Sequence, residues 1–200
     1  MAARGSYAKG VAKRDEILHT ALDVIAKNGY RKTSIRELAA AVGLSQTGLL
    51  HYFGTKEELY VEVLKMRDRI DSEAYGGSID LSAAFDPDSD LPESMVEVVK
   101  HNADVPGLVR LYAQFSAEAT DQGHPAGDYF RQRYETFRSA VAHAIRVQQE
   151  RGELAATIDA DRVAALMAAA SDGLQTQWLL DNSIDMADHI EYLWNSLLAR

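Results

Sequence analysis

Apolar residues return at three- and four-residue steps along nearly the whole chain. Ile17, Leu18, Ala21, Leu22 and Ile25 line one face of a helix expected over residues 11–28. Asn28-Gly29 supplies a left-handed stop after it. Ser34-Ile35-Arg36-Glu37 has the form of a capping box and opens a short second helix, with Ile35, Leu38, Ala39 and Val42 on its apolar side. Gly43 breaks that helix, and Ser45 caps a third that runs to Phe53. Thr55-Lys56-Glu57-Glu58 is a second capping box; the helix it opens passes through Leu59, Val63, Met66 and Ile70 to about Ser72. Residues 76–92, rich in Gly, Asp, Ser and Pro, read as a loop. Helices follow at about 93–102, 106–119 and 126–150, the last with Phe130, Tyr134, Phe137, Val141 and Ile145 on one face. Gly152 interrupts, Asp159 or Asp161 caps a helix to about Leu180, and Met186, Ile190, Leu193, Trp194 and Leu197 mark a last helix over about 184–198. Long alternating runs of Val, Ile and Thr are missing, so strands are not expected. The pattern predicts an all-α fold of about nine helices.

Composition narrows what such a fold does. At 46% hydrophobic residues the chain can bury a core, and only four prolines interrupt its helix formers. The lack of cysteine excludes disulfides, thiolate metal sites and cysteine catalysis. The basic start, MAARGSYAKGVAKR, has no apolar signal-peptide core. The longest apolar run, Val163 to Ala170, is far shorter than the ~18 residues of a membrane span. A soluble cytoplasmic protein without membrane contact is expected. No nucleotide-binding loop, HExxH or GxSxG occurs, and Ser, His and Asp form no triad-like arrangement. His101, His124 and His143 share no helix face at four-residue spacing, so neither a metal nor a cofactor is expected.

Charge is divided unevenly. Residues 1–56 hold nine Lys/Arg against four Asp/Glu, a net of +5, which leaves −14 for the other 144 residues of a chain whose total is −9. A basic head on an acidic body suits a polyanion partner, and is equally open to chance fluctuation of charge.

The stretch VGLSQTGLLHYFGTKEEL, residues 42–59, sharpens the choice. Two short helices joined at a glycine suit a helix-turn-helix. Leu49 and Phe53, one turn apart, hold the third helix down from inside, which turns Thr47, Gly48 and His51 outward. Ser45, Gln46 and Thr47 form its first turn, where free N–H groups favour phosphate. Gln can read an adenine edge, Thr can bond a base or touch a thymine methyl, and Gly lets the backbone approach. His51 and Tyr52 are within reach of flanking phosphates, and Lys56 opens the next helix beside them. Taken singly, each of these residues is compatible with an ordinary solvated surface.

TSIRELAAAVGLSQTGLLHYFGTKEELYVEVL, residues 33–64, resembles the DNA-binding head of TetR-family transcriptional regulators, a likeness that runs from about residue 12 to 65. DGLQTQWLLD, residues 172–181, is similar to a subgroup of the same family. The resemblance implies a head over 1–55 built as a three-helix helix-turn-helix, and a helical bundle over 56–200 that binds a ligand and a second subunit. It implies a homodimer, double-stranded DNA with a near-palindromic operator, and release by a small-molecule effector, most such proteins being repressors. Carried over by position, Ser45, Gln46, Thr47 and Gly48 become base or near-base contacts. Thr33, Ser34, His51, Tyr52 and Lys56 become phosphate contacts, and Arg36 reaches base or phosphate. The family often has Tyr where this chain has Leu50, which removes one expected phosphate contact.

The body is less explicit. Tyr112, Phe115, Tyr134, Phe137 and Met167 are candidates to line a ligand cavity, or are plain core; Glu118 and Asp172 would suit a cationic ligand, or are solvated. The helix from Asp159 carries one apolar stripe, Val163, Met167, Ala170, Leu174 and Trp178, and a second face of small and polar residues. A twofold interface is expected on that second face and the last helix, through Ala168, Asp172, Gln175, Leu179, Ile190, Trp194 and Leu197, with packing inside one subunit as the alternative. An enzyme and a helical protein-interaction module are the rival readings. Turnover would mark the first, and absence of duplex affinity at about 50 mM salt the second.

Overall fold

The computed structural model describes the backbone of residues 2–75 and 91–198, and the side chains of 8–75 and 94–198. Nine helices and no strand occur among them: α1 (Ala2–Asn28), α2 (Ile35–Ala41), α3 (Gln46–Phe53), α4 (Lys56–Tyr75), α5 (Leu91–Asp104), α6 (Pro106–Glu118), α7 (Gly127–Glu150), α8 (Ala160–Trp178) and α9 (Met186–Leu198). Helix α1 begins at Ala2 rather than residue 11, because the basic N-terminal stretch contains Ala, Arg and Lys and no proline, even though it lacks an apolar stripe. Helix α5 begins at Leu91, so residues 91 and 92 are helical rather than loop; Pro92 sits in the first turn, where its missing N–H costs no bond. The rest of the expected loop, 76–90, lies outside the described residues.

The chain forms two compact units: Met1–Arg67 with Val105–Ala126, and Asp68–Asp104 with Gly127–Arg200. This does not coincide with the functional division expected at 55/56, since α6 joins the N-terminal helices. Helix α4 is continuous through the boundary at 67/68.

In the first unit Ile17, Leu18, Ala21 and Ile25 bury the inner face of α1. The first turn of α6 rides on the end of α1 so closely that a Cβ at Gly107 would lie 2.0 Å from the carbonyl oxygen of Ile25. Only glycine permits that approach. Tyr30, Tyr60 and Phe115 stack edge-on with ring centroids 5.9, 6.1 and 6.2 Å apart. The Tyr60 hydroxyl donates to the carbonyl oxygens of Thr33 (3.1 Å) and Tyr30 (3.3 Å), and burial pushes its phenol well above the usual range.

In the second unit α8 packs on α7 and α9, and α5 packs on α9. Asp68, buried, accepts from the Tyr129 hydroxyl at 2.5 Å and from Arg133 Nε at 3.2 Å to each oxygen. That pairing makes a buried carboxylate tolerable.

Candidate functional site

The turn between α2 and α3 is built from local bonds. Ser34 Oγ accepts from the Glu37 N–H (3.2 Å) while the Ser34 N–H donates to Glu37 Oε2 (2.7 Å). The Ser34 N–H and, second, the Ser34 hydroxyl, which also donates to Glu37 Oε2, hold the Glu37 carboxyl below its usual pKa. At the other end of α2 the Gly43 N–H donates to Ala40 O (3.2 Å) and the Leu44 N–H to Ala39 O (2.8 Å), with Gly43 at φ 69°. This is a Schellman cap, and its left-handed residue is the one that only glycine adopts cheaply. Ser45 then caps α3, its Oγ accepting from the Gly48 N–H at 3.0 Å. A Cβ at Gly48 would press on that same oxygen at 3.2 Å, so the glycine preserves the cap.

Leu49 is fully buried (0% exposed) and Phe53 is buried one turn on. With that side fixed inward, Ser45, Gln46, Thr47 and His51 are exposed, and Gly48 and Tyr52 half-buried. The polar set shares one accessible side of a capped helix, with the positive end of its dipole at Gln46. Arg36 is exposed on α2, and Ser34 is exposed with its hydroxyl engaged by Glu37 (2.9 Å). Lys56 sits at the first position of α4, half-buried, its Nζ 5.2 Å from the Tyr60 ring centroid. A cation there opposes the helix dipole, and Glu57 and Glu58 offset it.

Thr33 is a correction. Its side chain is 1% exposed and its hydroxyl donates to Gly29 O at 2.9 Å, so it is withdrawn from any phosphate in this conformation. Two cations that the sequence leaves undistinguished from the rest of the basic head serve the head itself. Lys13 Nζ donates to Val42 O (2.7 Å) at the end of α2. Arg14 donates to Tyr52 O and to Glu62 Oε2 (2.6 Å each), with its guanidinium 4.4 Å from the Phe53 ring centroid. Arg14 therefore clamps the C-terminal end of α3, where free carbonyls favour a cation. The available signal was position: Arg14 lies three and four residues before Ile17 and Leu18, extending the buried stripe of α1 by one turn.

The second unit contains a cavity of about 60 Å³. Its apolar walls include Val98, Val99, Phe137, Ala140, Val141 and Ala168, and Arg133, Tyr134, Asp172 and Gln175 are among its polar ones. The Tyr134 hydroxyl donates to Asp172. Tyr134 and Phe137 are thus brought to a cavity. Tyr112 and Phe115 are not: both are buried core of the first unit, where Phe115 belongs to the aromatic cluster. Met167 is fully buried but does not line the cavity. Glu118 also lies in the first unit, accepting from Gln114 Nε2 at 2.7 Å.

The expected subunit interface needs a larger correction. Ala168, Gln175, Ile190 and Trp194 are buried within the chain itself, and Asp172, Leu179 and Leu197 are half-buried. The large apolar residues left open on this region are instead Leu166 (52% exposed), Leu180 (87%) and Tyr192 (74%). Both faces of α8 carry small or apolar side chains, so periodicity alone does not say which faces inward. Among the described residues no group of three His, Asp or Glu is placed to hold a metal ion, and no helix is long and apolar enough to cross a membrane.

Comparison with known proteins identifies both parts of the chain. Residues 17–63 match the family model described as bacterial regulatory proteins, tetR family, and residues 92–200 match that of the BetI-type transcriptional repressor, C-terminal. The HTH-type transcriptional regulator RutR of Escherichia coli (strain K12) is 43% identical over 54 residues, which span only 27% of this chain and 26% of that protein. The "probable acrEF/envCD operon repressor" of the same strain is 22% identical over 185 residues, covering 90% of this chain and 81% of that one. Among solved structures, a TetR-family transcriptional regulator from Rhodococcus sp. superposes with a TM-score of 0.69 at 23% identity, over 94% of this chain and 98% of its own.

Proposed function

Since the chain belongs to the TetR family of bacterial transcriptional regulators, whose members are ligand-responsive, DNA-binding repressors rather than enzymes, we propose how its own residues divide that task. Helix α3 enters the major groove, with Gln46, Thr47 and the Gly48 backbone at base edges and Ser45 at its capped start. Ser34, His51, Tyr52 and Lys56 meet flanking phosphates, and Arg36 reaches base or phosphate. Thr33 is left out. The observation that carries this reading is the orientation of α3: Leu49 and Phe53 are buried while Gln46, Thr47 and His51 are exposed.

One short helix makes too few contacts for tight specificity, so two copies act together on a near-palindrome in the cytoplasm. The surface that supports pairing is the outer stripe of α8 and its continuation. Leu166, Ala169, Gly173 and Leu180 recur at helical spacing, Tyr192 is open on α9, and nothing lies within 4 Å of a Cβ placed on Gly173. Small residues between large ones let a second helix approach closely.

Functionally, residues 1–55 read DNA and 56–200 receive the effector and the second subunit. Helix α4 joins these functions because it is unbroken from Lys56 to Tyr75. A ligand that binds one tilt of α4 better than another shifts the spacing of the two heads and releases the operator. Selection of duplexes from a random pool tests the whole reading. The expected product is a twofold-symmetric motif with half-site centres about 34 Å, or a multiple of that, apart. Enrichment of an asymmetric motif overturns the paired mode, and no enrichment overturns groove reading by α3.

A further inference from the structure

Gln175 stands out among the cavity residues. It is 8% exposed, lines the cavity from α8, and its side-chain amide has no hydrogen-bond partner among the described residues. A buried amide without a partner is costly, and an apolar residue of the same size would avoid that cost. Its neighbours limit what can complete it. Arg133 is the one cation lining the cavity among the described residues, and its Nε is paired with both oxygens of Asp68 at 3.2 Å. Asp172 lines the same space and accepts from Tyr134. An anionic ligand would face the Asp172 carboxylate and compete with Asp68 for Arg133. Gln175 itself offers a donor and an acceptor side by side. A carboxylate uses only the donor and an ammonium only the acceptor, each leaving half of the amide unsatisfied.

We propose that the effector is a small uncharged molecule carrying an amide-like group, N–H beside C=O, on a short apolar body. Its polar group pairs with the Gln175 amide, and its body lies against Val98, Phe137 and Val141. This rests on reading the cavity as the effector site. The cavity, about 60 Å³, holds only a few heavy atoms in this conformation. A larger effector must therefore widen it, and that widening gives a ligand the differential affinity that a conformational switch requires.

The test uses three matched probes, butyramide, butyrate and n-butylammonium, on the full chain without DNA, with binding read by protein NMR and thermal shift. Butyramide is expected to bind about tenfold or more tightly than either charged probe. Gln175→Leu and Gln175→Met are expected to erase that preference and to raise the melting temperature of the free protein, since each removes an unsatisfied buried amide. If the free variants melt lower and the preference persists, Gln175 is structural and the proposal is overturned. Butyrate or n-butylammonium binding best overturns it as well. Because no DNA is present, the outcome is independent of groove reading: failure to enrich a duplex leaves an observed amide preference intact, and loss of the preference leaves an observed operator intact.

Discussion

Helices α3 and α8 both present two working faces, and they differ in how those faces are marked. On α3 the contrast is chemical. Leu49 and Phe53 go in, and Gln46, Thr47 and His51 stay out, so eight residues suffice to fix the orientation. On α8 the contrast is positional. Val163, Met167 and Trp178 go in together with Ala168 and Gln175, while Leu166 and Ala169 stay out. Alanine and glutamine occur on both sides of the decision, and packing against α7 and α9 settles it. A polar face on an apolar anchor announces itself; an exposed apolar face beside an apolar core does not.

The strongest way to break this contrast is to remove the anchor. Leu49→Ala is expected to cost about 2–5 kcal/mol, measured by urea denaturation, with duplex affinity falling alongside. Unchanged stability with lost DNA binding would mean that Leu49 touches DNA and anchors nothing. Next in size is the outer face of α8 and α9. Leu166→Glu with Tyr192→Glu should convert a dimer to a folded monomer in sedimentation and weaken binding to a two-half-site duplex about a hundredfold or more. A pair of substitutions that leaves the dimer intact moves the interface elsewhere. Within α3, Gln46→Ala or Thr47→Ala should each cost about 1–3 kcal/mol of duplex affinity and blur base preference. Lys56→Ala should instead weaken all sequences alike and lower the salt slope by about one. Titrations against a matched set of operator variants separate the two behaviours, and a sequence-selective Lys56 effect would reverse their roles. Smallest on binding is Thr33→Val: duplex affinity should stay within about twofold, while stability falls by about 1 kcal/mol as the bond to Gly29 O is lost. A large loss of affinity with stability unchanged would return Thr33 to the contact set.

The legible parts of the molecule share one property, that their causes are short-range. Both capping boxes, Ser34 with Glu37 and Thr55 with Glu58, form their reciprocal bonds three residues apart. The glycine turn at 43 and the cap at Ser45 are likewise visible in a few letters. Arg14 was partly visible, as a cation on an apolar stripe, but its partners Tyr52 and Glu62 lie 38 and 48 residues away. Thr33 was misplaced because its neighbour Ser34 has similar chemistry and sits on the other side of the surface. Nothing local distinguishes a hydroxyl turned back toward Gly29 from one turned to solvent.

By itself the amino-acid sequence determined that this protein is helical, where most of its helices start and stop, and which side of α3 carries its exposed polar residues. Periodicity, caps and turns act within a few residues, so they are written contiguously. Tertiary structure alone decided that Tyr112 and Phe115 belong to a different unit from Tyr134 and Phe137. It also decided that Gln175 is buried beside a cavity, and that Leu166 and Tyr192 rather than Ile190 and Trp194 remain exposed. Burial is a property of what packs against a face, and on α8 that is decided by α7 and α9 rather than by the residues of α8 alone.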